Sequence, residues 1–450
     1  MKNLLGTPRS VNASALLAVA GAIVGLVAVA GISAPAIAQD VFPFTDGEDG
    51  DGPGSGETWQ DVAIIAPIYQ LQPVGTLGGN ESYATAISDN GWVVGGAKLA
   101  NGRFNAIRMQ VGGSVQSLGS LPGLNFSGGY SVNNNGDVVG VASSSSSLFG
   151  PTAQPWVYRN GQLIDIDPFD RGVYAAASSI NDFGVVVGTT SFEGSGSVQG
   201  FRSVGTSITS LPGLVGDRCR ISYGMGINHA GTIVGYAASP TDCGDSRAVR
   251  FPAGGGSAFD LGTLGGDNGQ AQAINSFGDI VGFSELSTGQ NRATLWNSSG
   301  PQNLGTLAGA SFALDINDEG LIVGYYIDSN NQQRACVWMG GSMFDLNTLM
   351  GSGSTGWRLL IATGVNAQGQ IVGQGRYVDR PNTAGRLLGF VLTPPCRSDY
   401  NQDGGIDGSD AASFFDSWSA GLPDTDLNLD GGIDGSDATF FMELWSDGRC

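Results

Sequence analysis

Basic charge is scarce in this chain: Lys and Arg number 20 against 40 Asp and Glu, for a net charge of −20. Phosphate binding needs a basic face, so the balance argues against a nucleic-acid partner. Histidine is nearly absent. His229 is the single imidazole, which all but excludes catalysis built on histidine pairs. Long apolar runs are missing after the N-terminus, so nothing beyond it is suited to span a bilayer. The one such run extends from about Ala15 to Ile32, after Lys2 and Arg9 and before Ala36-Ile37-Ala38. Positive start, apolar run and small-x-small site read as a secretory signal over 1–38, with Gln39 opening the mature chain. An uncleaved membrane anchor is the other reading. The expected location is extracellular or cell-surface. Cysteines are few, at five, and secretion places them in an oxidising compartment.

Glycine is plentiful, with 74 residues, alongside a hydrophobic content of 41%. That pairing fits many short strands joined by turns rather than disorder. After an acidic, glycine-rich linker over 39–58, one phrase recurs seven times: ISDNGWVVG, VNNNGDVVG, INDFGVVVG, INHAGTIVG, INSFGDIVG, INDEGLIVG and VNAQGQIVG. Its closing glycines are Gly95, Gly140, Gly188, Gly235, Gly282, Gly324 and Gly373, spaced 45, 48, 47, 47, 42 and 49 residues apart by subtraction. A period near 45 with strand-like content signals a propeller or an array.

Within one unit four short runs are visible: Ala271–Ile274, Asp279–Gly282, Ala293–Trp296 and Asn303–Leu307. An Asn-x-x-Gly turn joins the first two; Asn bonds its own turn backbone and Gly tolerates positive φ. Four antiparallel strands make a propeller blade. The last repeat ends on its third strand, Gly389–Leu392, and its missing fourth stands at the other end, in Tyr69–Leu77. Joining them closes seven blades over 59–394 and hides both edges. A linear array of β units is the alternative. The repeats resemble the HAF family of extracellular repeats, through DLGTLGG, AxAIN, GxIVG and a strand ending in Leu-Trp. The family's histidine is replaced here by Asn105, Gln199, Arg247, Arg292 and Arg334. The resemblance implies fold and location, not activity.

Loop lengths define a face. The loops 98–105, 142–154, 189–199, 236–247 and 374–388, and the interblade loops 121–129 and 212–222, fall on one rim. Cys219 and Cys243 belong one to each class, so a disulfide between them is expected. Cys336 lies in a strand-like run and reads as a buried thiol, an intermolecular bridge being the alternative. The long-loop rim is the candidate binding face. It carries Asp217, Asp242, Asp245, Asp267 and Glu285, none in a motif and all expected to be solvated. Asp315 is expected on an inner strand, as a hydrogen-bonded structural group that can face the channel. Arg247, Arg292 and Arg334 recur at one position. Either they line an anion site or they pack over strand-end carbonyls, the latter being preferred.

Residues 396–450 hold the clearest chemistry. Asp399-x-Asn401-x-Asp403-Gly404-Gly405-Ile406-Asp407-x-x-Asp410 returns 27 residues later as Asp426-x-Asn428-x-Asp430-Gly431-Gly432-Ile433-Asp434-x-x-Asp437. Oxygen side chains at positions 1, 3, 5, 9 and 12, with the carbonyls of Gly405 and Gly432 at position 7, follow the EF-hand logic for two Ca²⁺ ions. Asp replaces the usual Glu at position 12. Helix-like segments follow, with Phe414, Phe415 and Trp418, then Phe441, Met442 and Trp445, read as a small shared core. Cys396 and Cys450 bracket the segment, and a bond between them would clasp the ends of a module too small for a large core. The tail resembles a type I dockerin module across its whole length. That resemblance implies a cohesin-like partner selected near Gly408-Ser409 and Gly435-Ser436. A calcium-stabilised module for sorting or surface attachment is the other reading.

The expected fold is therefore all-β, a seven-bladed β-propeller of seven repeats followed by a small α-helical, EF-hand-like calcium module. The expected function is a secreted, non-catalytic binding or scaffold protein. Its propeller would recognise a glycan or peptide, and its tail would attach it to a cohesin-like or cell-surface protein. The alternative is a dockerin-borne glycoside hydrolase or lyase with its site on the long-loop face. No residue is nominated as catalytic.

Overall fold

The computed structural model describes residues 68–146, 148, 152–166, 174–191, 198–205, 207–216, 218–253, 256–351, 354–379, 385–401, 405–422, 425, 427 and 432–447. The signal and the acidic linker lie outside them. Seven four-stranded antiparallel sheets follow one another along the chain. The inner strands are Gly78–Ile87, Phe126–Val132, Ala175–Ile180, Ser222–Ile227, Gly265–Ile274, Ser311–Ile316 and Trp357–Val365, defining blades 1 to 7. Each inner strand packs on the next, and the last packs on the first, so the blades close a ring. Gln70–Pro73 pairs antiparallel with Arg386–Thr393, supplying the fourth strand of blade 7 from the N-terminal end.

The recurrent phrase has a steric cause. In blade 5, Ala271 lies opposite Gly282 and Ala273 opposite Val281, so Gln272 is an extra, bulged residue on the inner strand. A β-carbon at Gly282 would sit 2.0 Å from the Gln270 carbonyl oxygen. The same clash, at 1.9 to 2.2 Å, would arise at each of the other six closing glycines. No other residue fits there.

The phrase's asparagine ties blades together. Asn228 Oδ1 accepts from the Thr232 amide within its own turn, at 3.0 Å, while its Nδ2 donates to the Asn275 carbonyl of the next blade, at 3.1 Å. Asn133, Asn181, Asn275, Asn317 and Asn366 donate forward in the same way. The last of these reaches Ser88 across the chain closure, at 3.2 Å. Ser88 stands where the seventh asparagine would be. It accepts from the Trp92 amide but, among the described residues, does not bond forward to Asn133. Asn90 spans that junction instead, donating to the Asn134 carbonyl at 2.8 Å.

A serine opening the inner strand clamps the preceding blade at the other end. Ser222 Oγ donates to the Leu211 carbonyl and accepts from the Gly200 amide, at 2.7 and 3.1 Å. Ser127, Ser311 and Ser82 do likewise, the last bonding Val74 and Gly389 across the closure. Apolar clusters fill the space between neighbouring blades. One joins Val281 and Ala293 of blade 5 to Ala313, Ile322 and Trp338 of blade 6. The indole of Trp338 donates back to the Leu304 carbonyl at 2.9 Å, which accounts for tryptophan at the end of the third strand.

One expectation is corrected. The fourth strand of blade 5 is Gly300–Asn303, not Asn303–Leu307. Gly305 takes φ of 78° and turns the chain out of the sheet, so Thr306 and Leu307 belong to the crossing towards blade 6.

Beyond the ring lie two helices, α1 (Gly408–Ser419) and α2 (Gly435–Asp447). Phe414 and Phe441 stack at 4.1 Å and 6° in a small core with Leu427, both rings fully buried. Trp418 donates to the Asp434 carbonyl and Trp445 to that of Asp407, at 3.0 and 2.8 Å. Each helix thus clasps the loop of the other repeat. Among the described residues no helix is long and apolar enough to cross a membrane.

Candidate functional site

The inner strands enclose a central channel of about 1150 Å³ that runs from the long-loop rim to the asparagine turns. The bulged residues aim off the sheet ladder, and Thr85, Tyr130, Ser178, Met225, Gln272, Leu314 and Thr363 line the channel wall. Nearer the rim the wall is aromatic. Tyr83, Tyr174, Tyr223, Tyr236, Phe104 and Phe126 face the channel there. Tyr223 and Tyr236 stack at 4.1 Å. Burial raises the phenols of Tyr130 and Tyr236 well above their ordinary value, and neighbouring tyrosines add to the effect. Burial also pushes Tyr223 up to about 12. All stay neutral hydroxyls at physiological pH.

The channel's acids serve its walls. Glu81 holds Lys98 at 2.9 Å. At the turn end Asp89 accepts from the Ala367 amide, Asp182 from that of Asn134 and Asp318 from that of Ser276, at 2.8 to 2.9 Å. Each bond crosses a blade junction. His229 lies 3.8 Å from Asp182. Asp315 sits on the inner strand of blade 6, as expected, facing the channel and accepting from the Val365 amide of blade 7 at 2.9 Å. Burial is the main cause of its raised pKa, about 7, opposed by the Val365 and Ile316 amides and increased by Asp89.

The rim carboxylates meet unequal fates. Asp242 accepts from the Gly244 amide, and Glu285 from the backbone and side chain of Asn268. Asp245 is raised by burial, then by Asp242, Asp267 and Glu285. Asp217 lies outside the described residues. Cys219 and Cys243 form the expected disulfide on this rim, and Cys336 is a buried free thiol. The recurrent arginines are structural. Arg247 pairs with Asp260 and Arg334 with Asp345, each on the fourth strand of its own blade, while Arg292 donates to the carbonyls of Asn291 and Gly309. None of the three lines the channel.

In the tail, Asp410 is fully buried; its Oδ1 accepts from the Asn401 amide and its Oδ2 from the Asp407 amide, at 3.1 and 2.8 Å. Asp437 is equally buried and accepts from the Asp434 amide at 2.9 Å. Asp407 caps α1 and holds the Ser409 hydroxyl, and Asp434 holds that of Ser436, each at 2.7 Å. Hydrogen bonds from these serines, side chain first and then backbone, lower both carboxyls below their ordinary value. Asn401 donates to Ser409 at 2.7 Å. The first loop therefore gathers Asn401, Asp407 and Asp410. Asp399, Gly405 and Gly432 are also described, whereas Asp403, Asp426, Asn428 and Asp430 are not. Among the described residues no three His, Cys, Asp or Glu converge as a metal-holding group. Two fully buried carboxylates, in a segment whose only bases are Arg397 and Arg449, nonetheless fit a hard, oxygen-liganded cation.

The channel tyrosines were not legible as a site. Tyr83 and Tyr223 share the place after the clamping serine, but Gly128, Ala176 and Gln270 stand there in other blades, and Tyr130, Tyr174 and Tyr236 fall elsewhere, so no unbroken column marks them.

No family model and no curated protein matches the chain. Similar solved structures include TolB from Acinetobacter baumannii, at 12% identity and TM-score 0.38 over 61% of this chain and 63% of that one. This chain thus spans under two thirds of that TolB. A novel fungal alcohol oxidase of the AA5 family, in complex with copper, is similar at 14% identity and TM-score 0.43, over 73% and 77%. Puromycin hydrolase is similar at 14% and 0.44, over 73% and 54%. Likeness at this level carries nothing about activity.

Proposed function

We propose that this chain is a secreted, calcium-binding, non-catalytic binding protein. Its HAF-like propeller takes an extracellular ligand in the channel, and its dockerin-like tail attaches it to a cohesin-type or cell-surface partner. The observation that carries the binding role is the engagement of the channel's carboxylates: each named above holds an amide or an ammonium across the wall. A glycosidase needs two carboxyls placed for proton transfer and attack. Acids committed to holding blades together suit a rigid receptacle better than the alternative, a polysaccharide-degrading enzyme.

The tail's position supports an attachment role. The third strand of blade 7 ends at Thr393, and a β-carbon at Gly369 would meet the Pro394 ring at 3.6 Å. The chain thus leaves the ring beside an asparagine turn, away from the long-loop rim. A protein held by residues 396–450 would present its channel mouth outward. Two Ca²⁺ ions held by Asp399, Asn401, Asp403, Gly405, Asp407 and Asp410, and by their counterparts from Asp426 to Asp437, would offset the buried carboxylates there. Folding of the tail would then depend on the metal.

The test uses the mature chain and the same chain ending at residue 394 as baits, against the secreted and envelope fractions of the source cells, with calcium and with chelator. Calcium-dependent capture of one discrete partner by the full chain alone supports attachment through the tail. Release of soluble sugar from polysaccharides by the purified protein would overturn the non-catalytic reading.

A further inference from the structure

Three aromatic rings stand on the asparagine-turn face, at the opposite end of the ring from the long-loop rim. Phe183 and Phe277 follow the asparagine by two positions in the turns of blades 3 and 5, and are 71% and 78% exposed. His229, in the turn of blade 4 between them, lies 4.6 Å from the Phe183 ring. Carboxylates flank both phenylalanines. Asp182 precedes Phe183, and the Ser276 amide, next to Phe277, donates to Asp318 at 2.8 Å. Glu319 follows Asp318 on the same face. Burial raises its carboxyl; its own amide opposes the shift, and Asp318 and Asp89 add to it. The seven turns, from 88–91 to 366–369, contain no lysine or arginine.

Elsewhere on the propeller, ring faces are covered by a cation of the same blade. Lys98 lies 5.4 Å over Phe104 and pairs with Glu81; Arg386 lies 5.7 Å over Tyr377 and pairs with Asp379. Arg250 lies 5.5 Å over Phe259. Phe183 and Phe277 have the ring and the carboxylate, but among the described residues no lysine or arginine lies over either. Charge complementarity therefore selects the occupant.

We propose that the asparagine-turn face of blades 3 to 6 docks an arginine-bearing segment of a partner protein, a role separate from the channel and the tail. A guanidinium stacks on a phenylalanine face while its fork bonds a carboxylate, and it is more weakly hydrated than an ammonium. Phe183 with Asp182, and Phe277 with Asp318 and Glu319, offer two such places. Apolar side chains between the arginines cover the exposed ring edges. A neutral sugar would leave the carboxylates uncompensated. A second copy of this chain, docked by the same face, would bring carboxylates against carboxylates.

The probe is a capped peptide of three arginines separated by leucines, titrated by calorimetry into the full mature chain in calcium. The same peptide with citrulline in place of arginine, similar in shape but uncharged, is the comparison. Phe183→Leu together with Phe277→Leu keeps apolar bulk and removes both ring faces. Both positions are exposed, so the melting temperature should hold while affinity falls about tenfold. Glu319→Gln should weaken binding about threefold. Phe259→Leu removes a ring already covered by Arg250 and should change nothing. Equal binding of the citrulline peptide overturns the inference. So does an affinity that the double variant leaves unchanged, since attraction by the net charge of −20 alone would then account for it. A loss of the same size in Phe259→Leu, or self-association of the parent chain that the double variant abolishes, would overturn it too. None of these outcomes bears on the channel or the tail, whose own test is capture with calcium and with chelator.

Discussion

The ring and the tail solve stability by opposite means. The ring is held by backbone-level devices: glycines that admit a bulge, asparagines and serines that bond across blades, and apolar clusters between sheets. Few charges take part. The tail has two short helices, one aromatic stack and two fully buried carboxylates. Below about 80 residues a hydrophobic core alone seldom suffices, and small modules recruit metals or disulfides. Cys396 takes part in a disulfide; the partner expected for it, Cys450, lies outside the described residues. Repetition spreads stability over many equivalent junctions, whereas duplication of one small loop concentrates it at a few atoms.

The largest effect should come from breaking the ring's steric rule. Gly282→Ala places a methyl 2.0 Å from the Gln270 carbonyl oxygen, and neither strand can yield without losing its ladder. A loss of about 4 kcal/mol or more is expected, as for severe overpacking at a constrained backbone. Chemical denaturation followed by far-ultraviolet circular dichroism reads it. A loss below about 1 kcal/mol would show that the bulge can relax, and that the glycine is not the ring's constraint.

Asp315 is a partly exposed carboxyl facing the channel, in a ring otherwise sparing of charge. Its pKa is raised to about 7, so the folded state holds the proton more tightly than the unfolded chain does. Stability from this group is fully present below its unfolded value near 4 and is lost as pH rises to 7 and beyond. Asp315→Asn keeps an acceptor for the Val365 amide and removes the charge. The variant should gain over the parent progressively from pH 4 to 7, by about 1–2 kcal/mol because the carboxyl keeps some contact with solvent, with a plateau above. Equal stability of the two proteins at pH 8 would mean that the carboxylate is solvated there.

The tail should respond where the ring does not. Phe414→Ala removes half of the stacked pair and should cost about 3 kcal/mol. The loss should appear only in a tail transition seen by Trp418 and Trp445 fluorescence. Chelation should abolish the same transition and leave the propeller's melting unchanged. A common shift of both transitions would show that ring and tail unfold as one unit, and the contrast between them would fail.

Much of this was legible because repetition multiplies weak signals. Seven copies of one phrase defined the blades, and a three-stranded end facing a lone N-terminal run implied closure, which Gln70–Pro73 and Arg386–Thr393 perform. Two loop classes on one rim brought Cys219 to Cys243. The aromatic spacing in the tail anticipated the Phe414–Phe441 core. What stayed hidden depends on single positions. The fourth strand was placed too late because Leu304–Leu307 looks like strand until Gly305 turns it out of the sheet. The channel tyrosines fill no column of the repeat completely: Tyr83 and Tyr223 share one that Gly128, Ala176 and Gln270 interrupt. The asparagine reads as a turn former in sequence, because its second bond runs to a residue 42 to 49 positions away.

That second bond separates the six complete junctions from the seventh. Asn228→Ala removes the cap on the Thr232 amide and the tie to Asn275 together, in a site only 7% exposed. About 2 kcal/mol should be lost, because the Thr232 amide is left without an acceptor and the Asn275 carbonyl keeps only the Gly278 amide. Ser88 already supplies the cap, through the Trp92 amide, but not the tie. Ser88→Asn therefore isolates the interblade bond from the turn. With a carbonyl available on Asn133, the gain should be about 0.5–1 kcal/mol, the usual net worth of one added hydrogen bond. A shifted denaturation midpoint with unchanged slope would measure it. If Ser88→Asn gains nothing while Asn228→Ala still loses about 2 kcal/mol, the asparagine's contribution lies in its own turn. The ring would then be joined by its serine clamps and apolar clusters, and the amide chain would record its geometry rather than hold it.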